Sequence, residues 1–124
     1  VISEMQKQKW GRIINIMDNI VNEPVRGYTY HTTAQSALVG FTRSLAVELG
    51  SFGITVNLIS AGFTLAKKTP HAPPSVQKVM AEQTPLKRLA LPIDIAKAVL
   101  FYATDLSDFV TGNCLSVDGG KTMR

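Results

Sequence analysis

The sequence predicts one α/β domain, a parallel sheet covered by helices, and three observations carry that prediction. Apolar, β-branched runs of strand length occur at residues 12–17 (RIINIM), 54–60 (ITVNLIS) and 113–117 (NCLSV). Such runs suit strands buried on both faces. Helical periodicity separates them, and strands alternating with helices argue for parallel pairing through right-handed crossovers. With 124 residues the chain is long enough for a single small domain and too short for two.

Residues 1–9 read as the end of a helix: Val1, Ile2 and Met5 are apolar, and Lys7 and Lys9 sit where the negative end of its dipole favours cations. Trp10-Gly11 breaks it before the first strand. Residues 19–30 form a loop carrying Pro24 and Gly27. From about residue 31 to 49, Ala34, Ala37, Leu38, Phe41, Leu45 and Leu49 recur at helical spacing, with Gly50 placed as a glycine cap. Ser51-Phe52-Gly53 turns the chain into the second strand. Residues 62–74 are irregular and hold Pro70, Pro73 and Pro74. Ser75 is placed to cap a short helix reaching Gln83, and Thr84-Pro85 interrupts it. Pro92 starts a further helix to about Thr104, burying Ile95, Ala96, Val99, Leu100 and Ala103. The third strand ends in the turn Asp118-Gly119-Gly120.

Composition narrows the function classes. Hydrophobic residues at 45% and charged residues at 18% describe a globular chain rather than a disordered one. The net charge of +4 is spread from Lys7 through Arg43, Lys67-Lys68 and Lys87-Arg88, with no basic run interleaved with aromatics. That argues against nucleic-acid binding. No apolar stretch approaches the ~18–20 residues of a membrane span, and no signal peptide is evident. Cys114 is the only cysteine, so it reads as a small buried hydrophobe in a reducing, cytoplasmic setting. With only His31 and His71 beside it there is no zinc set, and no metal is expected. Met80, Met123, Phe41, Phe101 and Tyr102 read as core or interface packing. The chain opens on Val1 rather than methionine, which suggests a fragment or a processed product.

Several segments together resemble a known family. They are Gly11-Arg12-Ile13-Ile14-Asn15-Ile16, the helix from Ala37 to Leu49, Gly53-Ile54-Thr55-Val56-Asn57, Thr84-Pro85-Leu86-Lys87-Arg88-Leu89, Asp94-Ile95-Ala96, and the tail from Thr111-Gly112 to Asp118-Gly119-Gly120. In order and spacing they resemble the C-terminal half of the short-chain dehydrogenase/reductases, in the style of 3-oxoacyl-carrier-protein reductases. The resemblance covers essentially the whole chain. It implies a partial Rossmann-like fold, the last three strands of a doubly wound sheet, with residues 1–124 forming one C-terminal part that lacks the nucleotide-binding half. The first strand would then expose a pairing edge. The family uses NAD or NADP, whose pyrophosphate sits on a glycine-rich turn; no such turn occurs here, so dinucleotide binding by these residues alone is doubtful. The resemblance also implies subunit association, the helix at 31–49 packing on its mate and the last helix and strand forming a second interface. The expected partners are therefore a second copy or related subunits and a small-molecule substrate of unknown identity.

Family chemistry pairs hydride transfer with proton transfer from a tyrosine, aided by a lysine four residues on and by a serine after the preceding strand. The resemblance places these positions at His31, Gln35 and Asp18, all substituted. The standard chemistry is therefore expected to be impaired or absent. No lysine occurs between Lys9 and Lys67, so realignment to Tyr28 or Tyr30 does not restore the motif. Either Asp18 and His31 form a carboxylate–imidazole pair able to donate a proton, or His31 merely flanks the helix start and Asp18 is a solvated loop residue. After the second strand the family's Pro-Gly is Ala61-Gly62, and a threonine expected against the nicotinamide is Ala66. Gly62 and the backbone of Phe63 and Thr64 remain as weak candidates for a carboxamide contact. The alternative expectation is a piece of a working NAD(P)-dependent oxidoreductase acting on a carbonyl or alcohol.

Overall fold

The computed structural model describes residues 1–65 and 72–123. In chain order these form α1 (Ile2–Gln8), β1 (Gly11–Asp18), a single 3-10 turn (Asn19–Val21), α2 (Thr29–Leu49), β2 (Ile54–Ala61), α3 (Pro74–Gln83), α4 (Pro92–Ala103) and β3 (Cys114–Val117). The strands make one sheet in the order β1-β2-β3. Both pairings are parallel, with Gly11 opposite Ile54, Asp18 opposite Ala61, and Leu58 opposite Cys114. The expected α/β class and parallel pairing are both present.

Burial separates the strands in a way that composition did not. Ile54–Ser60 of β2 are buried without exception, whereas β1 is an edge strand whose Ile16 is 53% exposed. Among the described residues no strand pairs with the outer edge of β1. A β-branched run marks a strand without saying whether it lies at the centre or the edge of a sheet, because that depends on the neighbours the strand acquires. Cys114 is likewise only half-buried, because β3 is the other edge.

One face of the sheet carries α2, with Ala46 and Leu49 against Ile54 and Val56. The opposite face carries α4, with Ala98 and Tyr102 against Ile59. Two of the side-chain links across these layers pair buried polar groups. Asn15 Nδ2 donates to Thr42 Oγ1 at 2.9 Å, and the Tyr102 hydroxyl donates to Asn113 Oδ1 at 2.6 Å.

The helix faces differ from the expected ones. In α2 the buried residues are Thr42, Ala46 and Leu49, while Ala34, Ala37 and Phe41 point outward. In α4 the buried residues are Ala98 and Tyr102; Ile95 and Val99 pack as expected, but Ala96, Leu100 and Ala103 are exposed. Both helices are apolar on more than one side, so spacing alone does not select the buried face. Tyr102 and Thr42 can be buried because Asn113 and Asn15 satisfy their hydroxyls.

Of two expected caps, Gly50 closes α2 in a right-handed conformation and Ser75 gives way to Pro73. Gly50 is right-handed at φ −58 and leads into a 3-10 turn, Gly50–Phe52, so the left-handed residue is Gly53 at φ 69. Glycine is needed there, since a Cβ on Gly53 would lie 2.5 Å from the Lys9 carbonyl oxygen. In α3 the N-cap is Pro73 with Pro74 as the first helical residue. Proline's preset φ and missing N–H fit that position, which displaces Ser75 into the helix.

The start of α4 is held by a fork. Arg88 donates to Asp94 through Nη1 at 2.6 Å and Nη2 at 3.0 Å, and the Leu91 N–H donates to Asp94 at 2.8 Å. The Arg88 hydrogen bond, followed by that of Leu91, pulls the Asp94 carboxyl down to about 2 from 3.8. Because the folded value lies below the unfolded one, the stabilisation is complete above the unfolded value and disappears as pH falls through the folded one. The melting-temperature gap between the wild type and Asp94→Asn is therefore expected to hold above about pH 4 and to close by about pH 2. A gap that persists below that range would mean the fork is not what the mutation removes.

Candidate functional site at the carboxyl end of the sheet

Ligands of open parallel sheets bind beyond the carboxyl ends of the strands. Asp18 ends β1 and stands in register beside Ala61, the last residue of β2. One carboxylate oxygen, Oδ1, accepts from the Ile20 N–H at 3.1 Å and caps the 3-10 turn. The other, Oδ2, lies 2.5 Å from Nε2 of His31 in the first turn of α2. One turn further, Gln35 Oε1 accepts the Asp18 backbone N–H at 3.3 Å. Residues four apart share a helix face, so His31 and Gln35 both address the end of β1.

The three positions singled out in the sequence therefore converge. Asp18 is not a free loop carboxylate and His31 does more than flank a helix start: the two side chains pair. They keep 44% and 34% exposure respectively, so both remain reachable from solvent. His31 Nδ1 has no hydrogen-bond partner among the described residues. The rings of Tyr28 and Tyr30 stand edge-on to the imidazole at 6.1 and 6.4 Å.

The segment after β2 is more constrained than the sequence suggested. The Gly62 N–H donates to the Val117 carbonyl at 3.0 Å. A Cβ on Gly62 would come within 2.8 Å of Asp118 Cα and Cβ. Its glycine thus serves contact with the 118 turn. The Phe63 carbonyl accepts from the Ala90 N–H at 3.1 Å, and the Leu65 N–H donates to the Ala90 carbonyl at 2.9 Å. Thr64 bridges Ala90 in parallel, so its own N–H and C=O face the other way and make no backbone bond among the described residues. Of the Gly62, Phe63 and Thr64 candidates, only Thr64 offers both main-chain groups. Ala66 and His71 lie outside the described residues.

Two contributors escaped the sequence reading. Ala90 anchors residues 63–65 through a contact that no local pattern announces. Asp118 is buried and accepts from the Gly120 N–H, the Thr122 N–H and the Thr122 hydroxyl. Here a signal existed, because an aspartate before a glycine pair commonly bonds the following backbone. A concave surface over Pro85, Leu86, Lys97, Ser116 and Gly120 lies beside β3 and contains neither Asp18 nor His31. No cluster among the described residues could hold a metal ion, and no described helix is long and apolar enough to cross a membrane.

Residues 1–122 match the family model described as enoyl-(acyl carrier protein) reductase. The chain belongs to the short-chain dehydrogenase/reductase family. It is similar to the 3-oxoacyl-[acyl-carrier-protein] reductase FabG of Pseudomonas aeruginosa, at 41% identity over 123 residues, covering 99% of this chain and 50% of that protein. It is 37% identical over 134 residues to the oxidoreductase UcpA of Salmonella typhimurium, covering 99% and 50%. The crystal structure of a 3-oxoacyl-[acyl-carrier protein] reductase from Brucella melitensis superimposes with a TM-score of 0.88 at 29% identity, covering 98% of this chain and 46% of that one. The chain spans about half the length of the curated family members it matches.

Proposed function

We propose that residues 1–124 are the C-terminal part of a Rossmann-like reductase domain, the nucleotide-binding half lying outside them, in which the family's proton relay has been replaced. The observation that carries this is the convergence of Asp18, His31 and Gln35. A phenol is a usable acid near neutrality only beside a cation that stabilises the phenolate. Neither a phenol at 31 nor an amine at 35 is present, so carbonyl reduction by the standard route is impaired.

The residues present fit one end of the family's cofactor. The unspent Thr64 N–H and C=O suit a nicotinamide carboxamide, and no glycine-rich turn before a helix is available for the phosphates. When bound, a reduced nicotinamide supplies hydride; these residues hold the substrate side of the cleft. NADH and NADPH are therefore expected to bind without saturation at millimolar concentration, with no stoichiometric cofactor oxidation in the presence of a 3-oxoacyl thioester. Single-turnover hydride transfer in that assay would overturn the reading.

The scaffold supports association in a cytoplasmic homo-oligomer or with related subunits. Val47 on α2 is 85% exposed, Leu100 on α4 is 63% exposed, and Phe41 lies open on the outer face of α2. Apolar faces of this kind usually mark interfaces. A second reading is that the chain is a fragment of a working NAD(P)-dependent oxidoreductase of the 3-oxoacyl-carrier-protein reductase type, acting on a carbonyl or alcohol. It is favoured by the half-length match and by the open edge of β1, which an upstream strand would cover.

A further inference from the structure

We infer that the His31–Asp18 pair is a recognition and proton-transfer site for a carbonyl or hydroxyl oxygen, with His31 Nδ1 as the contacting atom. The inference rests on the proposed family role of this cleft and deepens it. Its basis is the division of labour around the imidazole. Nε2 is committed to Asp18 Oδ2 at 2.5 Å, which leaves Nδ1 as the only ring nitrogen able to meet a ligand. The ring is 34% exposed at the carboxyl end of the sheet, and Asp18 is itself held by Ile20 and Gln35. An oriented imidazole with one nitrogen on a carboxylate and the other open is the arrangement a general acid–base requires.

Substitution at 31 and at 35 becomes coherent on this basis. A phenol needs a neighbouring cation to act as an acid near neutrality, whereas an imidazole needs no such partner because it carries the positive charge itself. An imidazolium is itself both the acid and the cation. The lysine position is then free to become Gln35, a positioning residue that accepts the Asp18 N–H. With Nε2–H donated to Asp18, the neutral ring accepts an alcohol O–H at Nδ1, and the protonated ring donates Nδ1–H to a carbonyl oxygen. Proton transfer to a carbonyl oxygen would accompany hydride addition at its carbon from a reduced nicotinamide: the C=O π pair becomes the new O–H bond, the Nδ1–H bond breaks, and a neutral imidazole remains on Asp18 until solvent reprotonates it. The titratable groups facing the ring are Asp18 from β1 and Tyr28 and Tyr30 from the start of α2.

The test is a nitrogen NMR titration of the full chain, labelled in histidine and in backbone amides, with a 3-oxobutanoyl thioester of N-acetylcysteamine and, separately, its 3-hydroxy counterpart; His31→Gln assigns the ring signals. The His31 Nδ1 resonance is expected to move saturably with both probes. Asp18→Asn should weaken binding roughly tenfold, the scale of a charge-assisted hydrogen bond. A Thr64 amide that moves while the His31 ring does not would overturn the inference and leave the cleft assignment standing. If neither moves, both are wrong. A pair with a purely structural role leaves Nδ1 unmoved by either probe.

Discussion

Joined to the nucleotide-binding half of the Pseudomonas aeruginosa relative, the triple variant Asp18→Ser, His31→Tyr, Gln35→Lys is expected to reduce a 3-oxoacyl thioester ~10²–10⁴-fold faster than the unsubstituted graft, the usual yield of a positioned acid. The expectation follows from geometry. The side chains at 31 and 35 already share the face of α2 that meets the end of β1, and position 18 already reaches that face. A phenol, an amine and a hydroxyl placed there would meet without moving the backbone. The single variants should recover little, because a phenol without its cation and a cation without its phenol each lack half the acid. Initial rates of cofactor oxidation measure the effect. Equal rates for triple variant and parent would mean that the residues at 18, 31 and 35 are not what limits the standard chemistry.

Asn57→Ala is expected to cost ~2–4 kcal/mol of stability, since a buried polar link is lost and its partners are left unpaired. Asn57 is 1% exposed at the centre of β2. Its Nδ2 donates to the Val110 carbonyl at 2.8 Å, and its Oδ1 accepts the Asn113 N–H at 3.1 Å. One side chain thus ties the central strand to the turn that delivers β3. Urea denaturation gives the loss directly, and a shift below ~0.5 kcal/mol, the level of an ordinary surface change, would contradict it. Asn57→Asp tests the same point without a cavity: the carboxylate keeps an acceptor for Asn113 but cannot donate to Val110 and buries a charge.

The legible part of this fold was the part written in local pattern. Strand runs, the breaks at Trp10-Gly11 and Thr84-Pro85, and proline at the start of α4 all report constraints between near neighbours. Placement of the site was legible too, because spacing along α2 puts 31 and 35 on one face. What the pattern did not carry was which face of α2 and α4 lies inward. Both helices are apolar around much of their circumference, and the choice depends on Asn15 and Asn113, residues distant in sequence. Gly50 does cap α2, but the left-handed residue is Gly53, which passes the Lys9 carbonyl on another element.

The sequence by itself determined the α/β class, the family, and which residues stand at 18, 31 and 35, since each depends on residue identity and on short spacings along one chain. Only the tertiary structure decided that Asp18 and His31 pair, that Gln35 anchors Asp18, and that the Phe63 carbonyl is spent on Ala90 while the Thr64 main-chain groups are not. Those facts depend on directions in space, and a hydrogen bond exists only where donor and acceptor are brought to within ~3 Å in alignment. Register between β1 and β2 and the rotation of α2 set those directions, and both are fixed by packing between segments far apart in the chain.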